Sequence, residues 1–304
     1  MALPHLQLGV SPLSWTNDVL LDLGDEFAVE TCLQQAAAAG YQGIELGRKF
    51  PRTPEALAPL LETAGLQLAA GWYSGFLAER SLEEELAAVR DHALLLRRLG
   101  ARIMVYGECG QMPGDAPLDQ PLSRSPPLSA INLRAWADKL NAFADILLRD
   151  DELQLAFHPH LMMLVEREAE LSAFLAATNA NVGLVLDSGH ACAAGIDLAR
   201  MLALAGDRIR HIHLKDVRPA VLARVLADDL SFNQAVRLGL FTTPGDGCID
   251  YAPLFQFLQR GAFQGWLIVE AEQDPALAPP QETVTRAARW LHQQLAFPPL
   301  KETV

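Results

Sequence analysis

The segment HIHLKDVRP, residues 211–219, carries three polar side chains two positions apart in a stretch otherwise typical of a β-strand. Because successive side chains of a strand point to opposite faces, we expect His211, His213 and Lys215 to share one face. Packing alone does not select two imidazoles and an ammonium for a common face, since buried polar groups need partners. The spacing therefore indicates a polar site, with metal binding and proton transfer as the candidate chemistries.

Polar groups end four consecutive predicted strands and also occur on the second. These residues are His158 and His160, Asp187, Ser188 and His190, His211, His213 and Lys215, Glu270 and Glu272, and Glu45. Imidazole and carboxylate groups together suit a divalent cation such as Mn²⁺, Co²⁺, Fe²⁺ or Zn²⁺. Each residue alone also fits a structural role, as a turn former at Asp187 or an ion pair between Glu270 and Lys215. The whole set favours a metal site, because burying so many ionisable groups without a ligand is costly.

Eight short apolar runs with strand character alternate with helical segments. They cover residues 6–15, 43–47, 66–75, 102–108, 153–160, 182–190, 208–216 and 266–273. This alternation predicts parallel strands, right-handed crossovers and a (β/α)8 TIM barrel that forms a single domain over residues 1–304. A doubly wound open sheet is the alternative, but its usual GxGxxG signal and the GxxxxGK[ST] phosphate loop are both absent.

Two segments are long for plain connections, and both leave the carboxyl end of a strand. They span about 107–128, after the fourth strand, and about 218–251, after the seventh. Long connections of this kind are typically lids or binding loops, and barrel enzymes build their sites on this face. We therefore expect both segments to border the site.

The composition narrows the class of protein. The chain has 304 residues, 50% of them hydrophobic, with a formal net charge of -13. So acidic a chain argues against binding of nucleic acid or of an anionic membrane. The four scattered cysteines form no CxxC pair, and the chain carries neither a signal-peptide pattern nor an apolar run of membrane-spanning length. We expect a cytoplasmic protein that acts on a small molecule; a homo-oligomer is compatible with the sequence.

Several motifs together resemble a known family. HxHxKD at 211–216 and DSGH at 187–190 are typical of the xylose-isomerase-like TIM-barrel superfamily of sugar isomerases, epimerases and dehydratases. SPLSWTND at 11–18, PGDG at 244–247 and VEAEQDP at 269–275 are most similar to the dehydratases of inositol catabolism within it. The resemblance implies a metal-dependent lyase that removes water from 2-keto-myo-inositol to give a cyclic trihydroxy diketone. A metal-dependent ketose isomerase or epimerase is the alternative, followed by a binding protein without catalysis and a metal-dependent nuclease.

The resemblance also implies a ligand set for the metal. It transfers to Asp187, His213 and Glu270, with His158 at a position where the superfamily carries a glutamate. His160 and Glu166 are alternatives for that fourth ligand. The ion implied is Mn²⁺ or Co²⁺, with Mg²⁺, Fe²⁺ and Zn²⁺ as alternatives.

Roles in catalysis follow from the same resemblance and from enolisation chemistry. Removal of a proton next to a ketone and departure of a hydroxyl require a base and an acid. Lys215 and His160 are the first candidates and Glu272 the next, with the division between acid and base left open. The candidates for contacts with substrate hydroxyls are Glu45, His190, Trp15 and Lys49.

Overall fold

The protein is described by a computed structural model that covers residues 5–295. Eight parallel strands close into a barrel in chain order. They are β1 (Leu6–Val10), β2 (Gly43–Leu46), β3 (Gln67–Gly75), β4 (Ile103–Glu108), β5 (Gln154–Phe157), β6 (Gly183–Asp187), β7 (Ile209–Leu214) and β10 (Gly265–Val269). Two further short strands, β8 (Asp216–Val217) and β9 (Phe241–Thr242), pair antiparallel outside the barrel. The predicted (β/α)8 barrel is confirmed.

Helices surround the barrel and follow its strands. They are α1 (Val29–Ala38), α2 (Pro54–Ala64), α3 (Leu82–Arg98), α4 (Leu133–Asp151), α5 (Glu168–Ala177), α6 (Ser188–Ala193), α7 (Leu198–Ala205), α8 (Pro219–Ala227), α9 (Phe232–Arg237), α10 (Ala252–Gln259) and α11 (Pro280–Gln294). Local sequence explains their ends: Ser81 and Glu84 form a capping box before α3, and arginines occupy its last turn. No helix within residues 5–295 is long and apolar enough to cross a membrane.

The barrel strands are apolar on both faces because helices cover the outside and side chains fill the inside. On β4, Met104 and Tyr106 belong to the large core between the barrel and its helices. Val105, between them, packs inside the barrel with Ala70, Ala156 and Val185. The small side chains of this interior layer leave room above them for the polar groups at the strand ends.

Several strands end earlier than the sequence predicts, and polar capping explains the clearest case. The sixth strand stops at Asp187 because that side chain accepts a hydrogen bond from the backbone N–H of His190 at 2.8 Å and so begins α6. The first strand stops at Val10 and is followed by a 3-10 turn, Pro12–Ser14. The eighth barrel strand, β10, stops at Val269. The predicted site residues of these strands therefore lie at their last residue or just beyond it.

The two long connections contact each other at the same end of the barrel. The backbone N–H of Leu122 donates to Leu230 O at 3.1 Å, and Ser123 binds Asp229 through both its backbone and its hydroxyl. The second connection also contains α8, α9 and β9. Buried apolar side chains from this region, among them Met162 and Phe232, form a separate small core. Together these segments wall the carboxyl ends of the strands.

We predict that Phe174→Ala lowers the free energy of unfolding by about 3–5 kcal/mol, because truncating a buried phenylalanine leaves a cavity. Phe174 on α5 is buried against Phe157 of β5, with ring centroids 4.3 Å apart. Urea unfolding followed by circular dichroism measures the change. Leu226→Ala on α8 is the control: Leu226 is 59% exposed, so its replacement should change stability by at most about 0.5 kcal/mol. Equal losses in both variants would contradict the packing described here.

Candidate metal centre

A cavity of about 1020 Å³ opens at the carboxyl ends of the strands. Its wall carries most of the ionisable groups that the sequence singles out, namely Glu45, His158, His160, His213, Glu270 and Glu272. Trp72 of β3 also lines it, with its ring edge-on to His158 and His160 at centroid distances of 5.6 and 6.0 Å. The cavity therefore combines polar groups with an aromatic wall, as sites for small polar ligands do.

Four side chains from consecutive strands converge beside this cavity. Asp187 Oδ2 lies 3.5 Å from both His158 Nε2 and His213 Nδ1, and His213 Nδ1 lies 2.8 Å from Glu270 Oε2. All four residues are buried. Donor atoms that share one ion at about 2.0–2.2 Å stand roughly 2.8–3.6 Å apart. The three observed separations match that geometry; His158, Asp187 and His213 form the mutually close group, and Glu270 joins it through His213.

Two atoms at the centre of this group have no hydrogen-bond partner. Asp187 Oδ2 and His213 Nδ1 are buried, and their contacts with the charged atoms of this group lack hydrogen-bond geometry. Leaving a buried polar atom without a partner costs about 1–3 kcal/mol. A divalent cation between them would satisfy both atoms, so the residues fit such an ion.

Lys215 lies behind the group and is completely buried. Its Nζ is 2.6 Å from Glu270 Oε1, 3.4 Å from Glu272 Oε2 and 4.7 Å from the centre of the Phe241 ring. Burial lowers the pKa of Lys215, but the charges of Glu270, Asp187 and Glu272 outweigh burial and raise that pKa above its usual range. Lys215 is therefore an ammonium held by carboxylates.

His160 faces the cavity as a neutral ring. Burial and the neighbouring His158 lower the pKa of His160 to about 3. Its Nδ1 lies 2.6 Å from the carbonyl oxygen of Leu161, so a neutral ring donates from Nδ1 and leaves Nε2 as an acceptor. His190 stacks on its other side, with ring centroids 3.8 Å apart. His160 is thus oriented to accept a proton.

Glu272 is held in place by Asn17, a residue that the sequence did not single out. Asn17 is buried and donates from Nδ2 to Glu272 Oε1 at 3.2 Å. Asn17 is itself held, because its Oδ1 accepts the backbone N–H groups of Val19 and Leu20. Asn17 belongs to the motif SPLSWTND, but nothing in a loop sequence indicates which strand end its side chain reaches.

Of the four predicted substrate contacts, Glu45 alone lines the cavity. His190 lies behind the wall, with Nε2 3.2 Å from Lys215 Nζ. The indole N–H of the buried Trp15 donates to Gln35 at 2.6 Å, and Lys49 Nζ donates to the carbonyl oxygen of Phe27 at 2.8 Å. These bonds turn both side chains away from the cavity.

The contacts of Glu166 and of His158 distinguish these two alternatives for the fourth ligand. Glu166 Oε2 accepts the backbone N–H of Met162 at 2.9 Å and the hydroxyl of Ser125, and Glu166 Oε1 pairs with Arg167 at 3.1 Å. Both oxygens of Glu166 are thus engaged by other partners. His158 is the fifth-strand residue whose nitrogen reaches Asp187.

The barrel and its His/Asp/Glu group define a class of protein, the xylose isomerase-like TIM barrels, and the model of that family matches residues 33–294. The Rhizopine catabolism protein MocC of Rhizobium meliloti is 40% identical over 279 residues, 92% of this chain and 85% of that protein. Inosose dehydratase of Clostridium perfringens is 36% identical over 294 residues, 95% of this chain and 98% of the enzyme. The chain belongs to the inosose dehydratase family of these barrels.

A solved structure agrees with the fold. The crystal structure of the IOLI protein with a zinc atom superposes with a TM-score of 0.69 and covers 95% of this chain and 98% of that protein. Its sequence is 17% identical, so the likeness concerns the fold alone.

We predict that Asp187→Asn weakens the binding of a divalent metal. The loss of affinity should exceed the roughly 10–100-fold that is typical when a residue that only orients a ligand is replaced. The amide keeps the size of the side chain but replaces a carboxylate oxygen that otherwise has no partner. Competition with a chromophoric chelator measures the affinity for Mn²⁺ or Co²⁺. Asp115→Asn at the cavity wall is the control and should keep the wild-type affinity. A wild-type affinity in Asp187→Asn would place the metal elsewhere.

Proposed function

We propose that the protein is an inosose dehydratase, a metal-dependent lyase that removes water from 2-keto-myo-inositol and produces a cyclic trihydroxy diketone. The observation that carries the proposal is the convergence of His158, Asp187, His213 and Glu270 beside a cavity that also presents His160 and Glu272. Full-length similarity to a protein named for this reaction supports the choice of substrate.

The proposed cofactor is Mn²⁺ or Co²⁺, held by His158, Asp187, His213 and Glu270. When bound, a divalent ion supplies positive charge that stabilises the developing negative charge on the ketone oxygen as the neighbouring proton leaves. Mg²⁺, Fe²⁺ and Zn²⁺ remain alternatives, because imidazole and carboxylate ligands accept several divalent ions.

His160 is the proposed base. Its Nδ1–H is engaged by Leu161 O, so Nε2 is the atom that accepts the proton next to the ketone. The aromatic ring of Trp72 packs against the cavity side of both His160 and His158 and limits the access of water to them. This assignment leaves Lys215 as the candidate for the acid.

Glu272 and Lys215 are proposed to deliver the second proton. Glu272 lines the cavity, and Lys215 Nζ stands 3.4 Å behind its Oε2. A proton passes from Lys215 Nζ through Glu272 Oε2 to the departing hydroxyl, which leaves as water. Asn17 holds the other oxygen, Glu272 Oε1, so the acid keeps its orientation during transfer. The enol that results then tautomerises to the diketone.

We also propose that residues 1–304 act as one cytoplasmic domain on a small cyclic polyol ketone, without nucleic acid or membrane as a partner. Sedimentation of the purified protein will tell whether it acts as a monomer or a homo-oligomer.

We predict that protein stripped of metal by a chelator has no dehydratase activity and regains it on addition of Mn²⁺ or Co²⁺. The assay incubates the protein with 2-keto-myo-inositol and follows the product by mass spectrometry. Dehydration lowers the mass by one water molecule, whereas epimerisation or isomerisation leaves the mass unchanged. An isomer of unchanged mass would replace the proposal with the epimerase alternative, and unchanged substrate with every metal would reject both.

We predict that His160→Gln lowers kcat by about 10²–10⁴-fold, the usual contribution of a general base, and leaves the affinity for metal unchanged. Steady-state kinetics with Mn²⁺ at saturation measures kcat, and chelator competition measures metal affinity. His292→Gln, on α11 and outside the cavity wall, is the matched control and should keep the wild-type kcat. A wild-type kcat in His160→Gln would remove His160 from the reaction.

A further inference from the structure

We propose that Glu45 is a positioning residue that selects the metal-binding tautomer of His213, with His211 as a second anchor of the same carboxylate. The inference rests on the proposed metal centre and deepens it. It concerns a residue that the sequence associates with substrate hydroxyls.

The contact crosses the interior of the barrel. Glu45 belongs to β2, whereas both histidines belong to β7, which is separated from β2 by β1 and β10 in the closed sheet. Glu45 Oε1 lies 2.8 Å from His211 Nε2 and 3.1 Å from His213 Nε2. One carboxylate oxygen therefore binds two imidazoles at hydrogen-bond distance.

The backbone beside Glu45 departs from regular pairing. Ile44 pairs with Leu68 of β3, but Leu46 pairs with Gly71, so the register shifts by one residue at Glu45. The extra residue of this bulge lies on β3, so Glu45 stands opposite two residues of that strand, Ala69 and Ala70.

Hydrogen-bond chemistry sets the tautomer. An ionised carboxylate only accepts, so each imidazole nitrogen that faces Glu45 Oε1 must carry a proton. An imidazole that binds a metal is neutral, so a proton on Nε2 leaves the lone pair on Nδ1. That Nδ1 is the atom that lies 3.5 Å from Asp187 Oδ2 and 2.8 Å from Glu270 Oε2 and has no hydrogen bond. Glu45 thus presents the correct nitrogen of His213 to the ion.

The arrangement also orients the ring. Metal-binding histidines commonly donate their second N–H to a carboxylate, which limits rotation of the ring and makes it a stronger ligand. Here the carboxylate is itself held by His211, which is completely buried and edge-on to His213 with ring centroids 5.2 Å apart. His211 therefore holds Glu45 through its Nε2.

A competing arrangement uses the same three residues as ligands of a second ion. Glu45, His211 and His213 each offer one atom, and these atoms lie within 4.8 Å of one another. The proposal favours hydrogen bonds, because both contacts of Glu45 Oε1 have the angle as well as the length of an N–H···O bond, whereas the contacts of His213 Nδ1 do not. The two arrangements differ in the number of ions bound per chain.

The test is Glu45→Gln, which keeps the size of the side chain but removes the charge and one of its acceptor oxygens. Titration of the metal-free protein with Zn²⁺ against a chromophoric chelator gives affinity and stoichiometry. We expect one ion per chain in wild type and variant, with the variant binding roughly 10–100-fold more weakly. Glu79→Gln, at the rim of the same cavity, is the matched control and should bind as wild type does.

A spectroscopic measurement separates positioning from a general loss of structure. In ¹⁵N-histidine NMR of the Zn²⁺-loaded wild type, we expect His213 as the Nε2–H tautomer with Nδ1 shifted by the metal; His213→Asn identifies its signals. In Glu45→Gln that signature should broaden or divide between tautomers. The variant His211→Gln keeps an amide N–H donor towards Glu45. We expect it to bind one metal ion per chain, with a higher affinity than Glu45→Gln has.

Three results would overturn the inference: wild-type affinity with an unchanged tautomer in Glu45→Gln, two ions in wild type and one in the variant, or no ion in wild type. These measurements need no substrate. A protein that binds metal as described but leaves 2-keto-myo-inositol unchanged would therefore reject the proposed reaction and keep the role of Glu45.

Discussion

The interaction on which the site depends is the mutual neutralisation of buried charges at the barrel mouth. Glu270 stands 2.6 Å from Lys215 Nζ and 2.8 Å from His213 Nδ1, so one carboxylate connects the ammonium with the imidazole. Removing one partner of such a set leaves an uncompensated charge away from water, which typically costs 3–5 kcal/mol. The strand ends must therefore hold these groups as a set.

The barrel meets this requirement because the ends of β2, β5, β6, β7 and β10 each contribute one or two residues to a common point. Its rigid strands set the positions, and local devices set the directions: Asp187 caps α6 with one oxygen and directs the other towards His158 and His213. The connections after β4 and β7 contact each other and wall the same end, which keeps the charges away from bulk water. At this site the same strand ends and connections therefore set both the fold and the neutralisation of the buried charges.

Regular periodicity explains which predictions succeeded. The alternation of apolar runs with helical segments predicts the eight barrel strands, and the period-two spacing of HIHLKDVRP predicts the common face from which His213 and Lys215 both reach Glu270. The residues after β1 and β2 lie in loops, which have no such period. The structure places Trp15 and Lys49 away from the cavity, and it brings Asn17, which the sequence did not single out, to Glu272.

The sequence by itself determined the number and order of the strands and the polar residues at their ends, since both follow from short-range patterns. Tertiary structure alone decided which atoms meet. Asn17 and Glu272 are 255 positions apart, and Glu45 and His213 are 168 apart. Closure of the sheet joins the first and last barrel strands, and a shift of register beside Glu45 accompanies its contact across the interior. Such contacts depend on three-dimensional geometry that no local spacing encodes.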